Sequence, residues 1–180
     1  RVLDLGCFPG SWTLYAARRI GSSGRVLGID LKKVDFPLPG NAKTTVQDAF
    51  TFNAGSVPPL DVVISDMAPQ TRGEPRSDHS RSVEFVELAM RIADARLSEG
   101  GSMLAKLFDG PETKALLRQM RGRYETGRIM RPKATRSQSN EIYLVGVGKR
   151  SANTQLPSTY RAPAPAPQTP PPQPRNFNGW

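Results

Sequence analysis

The chain holds a single cysteine, Cys7, among its 180 residues, so no internal disulfide can brace it. That scarcity fits a reducing compartment, and a cytoplasmic location is expected. No apolar run approaches the roughly 20 residues that would cross a bilayer, so no membrane partner is expected. No signal-like segment is visible; the sequence starts at Arg1, directly on an apolar run, and reads as a fragment. The G-x-G-x-x-G fingerprint is missing from the first turn, which also carries no Lys-Ser or Lys-Thr to cradle a phosphate. Both gaps weigh against a dinucleotide. No internal repeat is present, and no metal site is expected.

Acidic residues are scarce in one region only. Residues 114–150 hold ten Lys/Arg against two Asp/Glu, whereas residues 1–113 hold 13 against 14. The formal net charge of +9 is therefore concentrated in the second half of the chain. A basic half beside a neutral one suggests a polyanionic partner, with a solvated surface as the plainer explanation. Six basic residues between Arg121 and Arg136, with Tyr124 and several hydroxyls among them, favour nucleic acid. Length allows one domain with a proper core. Its boundary falls near residue 150, because eight of the 17 prolines lie in 151–180. That segment cannot bury enough apolar surface to order itself, and it reads as an extended tail.

Strand-like runs recur at Val2–Leu5, Arg25–Ile29, Thr44–Gln47, Val62–Ser65, Ser102–Lys106 and Ile142–Val147. Helical patterns fall at Trp12–Ile20, Ser82–Leu97 and Glu112–Arg123, with Gly100-Gly101 expected to stop the second. Alternation of this kind predicts an α/β fold with a mainly parallel sheet covered on both faces. Glu125–Met130 and Glu141–Val147 form a candidate antiparallel hairpin at the sheet edge.

The stretch Asp4-Leu5-Gly6-Cys7-Phe8-Pro9-Gly10-Ser11-Trp12 joins the first strand to the first helix, where an α/β fold presents a cofactor. Glycines there are expected to let a ligand approach the backbone. An acidic residue without a phosphate nest suits a cationic or zwitterionic ligand, which favours S-adenosylmethionine over NAD. Asp30 ends the second strand and can accept the hydroxyls of an adenosine ribose; Asp48 follows the third and could reach the adenine edge. Alone, each could be a helix cap. As a series at successive strand ends, Asp4, Asp30 and Asp48 favour a ligand site.

Asp66, in Ser65-Asp66-Met67-Ala68-Pro69, ends the central strand-like run with no helical pattern before about Ser82 to cap. Lys106 sits in an otherwise apolar strand, where an ammonium needs a carboxylate partner. Glu141 opens the last strand. Carboxylates on either side of a lysine can tune it to steer or take a proton from a weakly acidic hydroxyl. A structural ion pair would explain the same residues without chemistry.

These motifs, together with Ser139-Asn140-Glu141-Ile142-Tyr143, resemble the FtsJ-like family of ribosomal RNA 2′-O-ribose methyltransferases, of the large-subunit (RlmE-type) kind. The resemblance covers roughly residues 1–150 and implies a Rossmann-like methyltransferase fold using S-adenosylmethionine. It implies cofactor contacts from Asp4, Gly6, Gly10, Trp12, Asp30, Asp48 and Asp66. Of the family's Lys-Asp-Lys-Glu set, the last three map onto Asp66, Lys106 and Glu141; the first lies upstream of the first motif, before Arg1. Phe8 and Ser11 stand where smaller residues are common. The implied substrate is a uridine of large-subunit (23S) ribosomal RNA, reached through basic residues 114–136, with no DNA. Alternatives are transfer RNA, an mRNA cap, or a non-catalytic RNA-binding module.

Overall fold

A computed structural model describes residues 1–69, 74–132 and 140–151. The expected tail, beyond Ser151, and the basic residues Lys133 and Arg136 lie outside the described residues. A seven-stranded sheet runs through the molecule in the order β3-β2-β1-β4-β5-β7-β6. The strands are β1 Val2–Leu5, β2 Val26–Asp30, β3 Ala42–Val46, β4 Leu60–Ser65, β5 Leu97–Phe108, β6 Tyr124–Met130 and β7 Glu141–Lys149. The first five are parallel, while β7 runs antiparallel to both β5 and β6. The α/β fold with an antiparallel pair at one edge is therefore as the sequence predicts.

Helix α1 (Ser11–Ile20) covers one face, and α2 (Pro75–Arg96) and α3 (Thr113–Arg123) cover the other. The division follows strand alternation, since successive side chains point to opposite faces. Leu3, Leu5, Val63, Met103, Leu107 and Leu144 join α2 and α3 in the larger core. Val2 and Val26 meet Ala16 and Ala17 of α1 in a smaller one. Chain order moves outward from β1 to β3, then returns to β4 on the opposite side of β1. That reversal opens a crevice at the carboxyl ends of β1 and β4.

Two expectations about α2 need correction. It starts at Pro75, seven residues before Ser82, with proline at its first position and Asp78 in its first turn. The early turns escape an apolar pattern because they bury His79 and Ser82, polar groups with specific partners. Its end is not made by Gly100-Gly101 either. The helix stops at Arg96, and Leu97 already pairs with Leu60 as the first residue of β5. Gly100, at φ 76°, lies instead where the β4–β5 register slips between Leu60 and Val62. Lys149 holds this end of α2, its Nζ donating to the carbonyls of Ala93, Asp94 and Leu97 at 2.9, 2.8 and 2.8 Å.

Leu116 anchors α3 to the sheet and is 1% exposed. Replacing it with Ala should cost about 2–5 kcal/mol by lost burial and residual cavity. Urea unfolding measures this; a loss below about 1 kcal/mol would contradict the placement of α3.

Candidate active site

The strands that the sequence assigned to the site deliver their residues to the same end of the sheet, the carboxyl ends of its parallel strands. Asp4 sits within β1, Asp30 ends β2, and Asp66 follows β4. Lys106 and Glu141 occupy the adjoining ends of β5 and β7. Asp66 is fixed through its own N–H, which donates to the Leu5 carbonyl at 3.0 Å. The turn leaving β1 is likewise tied back, Gly6 N–H donating to Ile29 O at 2.8 Å.

The glycines of this turn have a reason within the chain's own packing, besides the ligand approach expected of them. Gly6 (φ 76°) and Gly10 (φ 111°) adopt backbone conformations that side chains resist. A Cβ on Gly6 would lie 2.8 Å from the Met67 backbone nitrogen, and one on Gly10 would lie 2.7 Å from the Phe36 ring. They permit close approach of the chain's own loops. Gly6 in particular seats Met67, next to Asp66, against the first turn.

Asp4 is fully buried and accepts a hydrogen bond from Thr13 Oγ1 at 2.6 Å, while its Oδ1 has no partner. Burial pushes its carboxyl up to about 6; the Thr13 bond opposes this, and the charges of Asp66 and Asp30 add to it. Asp30 accepts the N–H groups of Phe8 and Lys32, each at 2.9 Å. Asp48 is exposed and caps the 3-10 turn Ala49–Thr51, its Oδ1 accepting Phe50 N–H at 2.9 Å. The cap reading of Asp48 is thus realised, at the strand edge where the ligand reading placed it. Burial, with Asp4 and Asp30 nearby, pushes the Cys7 thiol up to about 12.

Around Lys106 the contacts are direct. Its Nζ lies 2.7 Å from Asp66 Oδ1, with both side chains largely withdrawn from solvent. The same oxygen accepts the Tyr143 hydroxyl at 2.9 Å. Tyr143 is the cross-strand partner of Lys106, and Glu141 that of Phe108, so all four residues share one face of the sheet. Burial raises Tyr143, and the charges of Asp66 and Glu141 raise it further, so it stays a phenol that donates to Asp66. The Trp12 ring, at the start of α1, sits 6.0 Å from the Tyr143 ring and joins the turn to the lysine cluster.

Tyr143 and Thr13 were not singled out from the sequence. A signal existed for Tyr143, since it follows Glu141 by two in a strand and so shares its face. None existed for Thr13 short of knowing how α1 docks.

A carboxylate set with one unpartnered, fully buried oxygen suits a cationic ligand, and the lysine cluster beside it suits proton handling at a bound hydroxyl. Such an arrangement has the chemistry that a cofactor-dependent transferase needs. Residues 1–149 match the family described as FtsJ-like methyltransferase. The chain is 44% identical over 153 residues to ribosomal RNA large subunit methyltransferase E of Desulforapulum autotrophicum, covering 83% of this chain and 75% of that one. It is 42% identical over 161 residues to the protein of the same name from Nitratidesulfovibrio vulgaris, covering 86% and 80%. Among solved structures, a ribosomal RNA methyltransferase from Plasmodium falciparum superposes with a TM-score of 0.68 at 26% identity, covering 82% and 85%. Human methyltransferase-like protein 13, solved with SAH, shares the fold at a TM-score of 0.57 and 13% identity, covering 87% of this chain and 74% of that one. The chain belongs to the FtsJ-like methyltransferase family.

Asp4 provides a test with a definite sign. Its pKa is higher folded than unfolded, so its contribution to stability is full below about pH 4 and is lost as pH rises through about 6. Asp4→Asn keeps the acceptor for Thr13 and removes the buried charge. It should therefore be more stable than the parent at pH 8, by roughly 1–3 kcal/mol, with the advantage fading toward pH 4. Chemical denaturation across that range checks this; a pH-independent difference would refute the buried-charge account.

Proposed function

We propose that this enzyme methylates a ribose 2′-hydroxyl of large-subunit ribosomal RNA in the cytoplasm, through Lys106, Asp66 and Glu141. S-adenosylmethionine is the methyl donor. Asp4, Gly6, Gly10, Trp12, Asp30, Asp48 and Asp66 would hold it, and it supplies a methyl group already activated by a sulfonium. The observation carrying this reading is the Lys106–Asp66–Tyr143 cluster set directly beside the carboxylate crevice.

In the mechanism, Asp66 anchors the Lys106 amine, and Tyr143 fixes the Asp66 oxygen that does so. Lys106 would orient the 2′-hydroxyl and direct its proton to solvent, while bound S-adenosylmethionine would supply the methyl group from its sulfonium and leave as the neutral thioether. Glu141, on the same sheet face, keeps negative charge beside the amine and helps orient it. Alignment supplies most of the acceleration, because the leaving group is good and the nucleophile poor. A 2′-hydroxyl is what separates RNA from DNA as the substrate.

The structure sorts the basic segment. Arg123 is engaged by Asp94, and Arg131 by Asp109. Beyond the segment, Lys149 and Arg150 bind backbone carbonyls. Lys114, Arg118 and Arg121 are exposed at i, i+4 and i+7 along α3, one stripe about 10 Å long. Among the described residues these, with Arg128, are the segment's cations free of an acidic partner, and they suit phosphate contacts.

Two measurements follow from this reading. Lys106→Ala should abolish methyl transfer while the cofactor still binds; near-normal methylation by that variant would sink the assignment. Lys114→Ala combined with Arg118→Ala should weaken RNA binding and flatten the slope of log affinity against log salt by roughly 1–2. An unchanged salt slope would remove the stripe from the RNA interface.

A further inference from the structure

His79 lies near the start of α2, is 5% exposed, and has an acceptor at each ring nitrogen. Nδ1 is 2.6 Å from the Phe108 carbonyl oxygen, and Nε2 meets the Glu112 carboxylate at the head of α3. A carbonyl and an ionised carboxylate can only accept, so both contacts form together only when the ring carries both protons. The His79 bond in turn holds the Glu112 carboxyl below its usual range. Ser82, one turn further on, accepts the Phe108 N–H at 3.1 Å and donates to the His79 carbonyl at 2.7 Å. Helix α2 therefore grips both polar groups of the Phe108 backbone. Gly110 leaves room for the ring, since a Cβ there would come within 2.5 Å of Nδ1.

Phe108 is a consequential place to grip. It lies two residues beyond Lys106 on the same sheet face and is the cross-strand partner of Glu141. The pairing continues one step further, Asp109 N–H donating to Asn140 O at 2.8 Å. Fixing Phe108 thus fixes the row that carries Lys106, Tyr143 and Glu141. Helix α2 is also the element that follows the Asp66 loop in the chain. His79 thus ties α2 to the end of β5 and to the head of α3, and β5 in turn pairs with the strand that opens at Glu141.

We propose that His79 is a positioning residue for methyl transfer, setting the end of β5 so that Lys106 and Glu141 keep their reach. This rests on Lys106 and Glu141 belonging to the catalytic set. Merely stapling α2 to the sheet is a different role, and Lys149 supplies the matched control. Its Nζ ties the end of β7 to the junction of α2 and β5, at the opposite end of those strands from Lys106 and Glu141.

The test measures kcat per cofactor-binding site on the full chain, with binding sites counted by titration with S-adenosylhomocysteine. His79→Ala should lower per-site kcat at least about tenfold, because small misplacements of catalytic groups are costly, while KM for S-adenosylmethionine stays within about twofold. His79→Gln, which offers one donor, should recover part of the loss. Lys149→Met should lower Tm and leave per-site kcat within about twofold. If His79→Ala does not fold, Ser82→Ala loosens the same Phe108 peptide and should show the same split. Unchanged per-site kcat in whichever of these variants folds overturns the proposal, as does an equal fall in Lys149→Met. A fully active Lys106→Ala would instead overturn the catalytic assignment itself, so the two failures are distinguishable.

Discussion

An ammonium drawn out of water costs several kcal/mol unless a carboxylate meets it. Lys106 is met by Asp66 at 2.7 Å, on the neighbouring strand end. Much of the molecule can be understood as the means of holding that pair. Parallel pairing of β4 with β5 sets Ile64 and Ser65 opposite Leu104 and Ala105, which brings Asp66 and Lys106 side by side just beyond. Antiparallel pairing of β7 then adds Tyr143 across from Lys106, and its hydroxyl occupies the same Asp66 oxygen. Removing either charge would leave the other largely withdrawn from solvent without its counter-ion, so the two are coupled in stability.

The crevice exists because the chain reverses direction of sheet growth between β1 and β4. On one side of that line stand Asp4 and Asp30, which suit a cation. On the other stand Lys106, Tyr143 and Glu141, which suit a hydroxyl and its proton. Trp12 reaches across from the start of α1 to Tyr143, so the two sides meet through an aromatic contact. The buried Asp4, with one oxygen unpartnered, shows the cost of such a site in the free protein. A buried, incompletely satisfied carboxylate lowers stability at this point of the fold.

Much of this was legible in the sequence, for identifiable reasons. Apolar runs punctuated by Gly and Asp located β1, β2, β4 and β5, because buried parallel strands leave little else in their sequence. Asp66, Lys106 and Glu141 stood out because charges at the ends of apolar strands demand an explanation. The start of α2 was hidden because its first turns bury His79 and Ser82 instead of apolar residues. Gly100-Gly101 misled because glycine punctuates a strand irregularity as readily as a helix end. Thr13 and the role of Tyr143 depend on packing between distant segments, which local pattern does not encode. Gly6 and Gly10 carry a second constraint that the sequence did not reveal, the close approach of Met67 and Phe36.

The most direct test of the central claim follows the methyl group itself. Labelled S-adenosylmethionine, enzyme and large ribosomal subunits are incubated, and the RNA is then hydrolysed in alkali, which spares a linkage whose 2′-oxygen is methylated. The account predicts label in an alkali-resistant dinucleotide from large-subunit RNA. Label released with ordinary mononucleotides, as base methylation would give, would contradict it, and so would the absence of label from RNA.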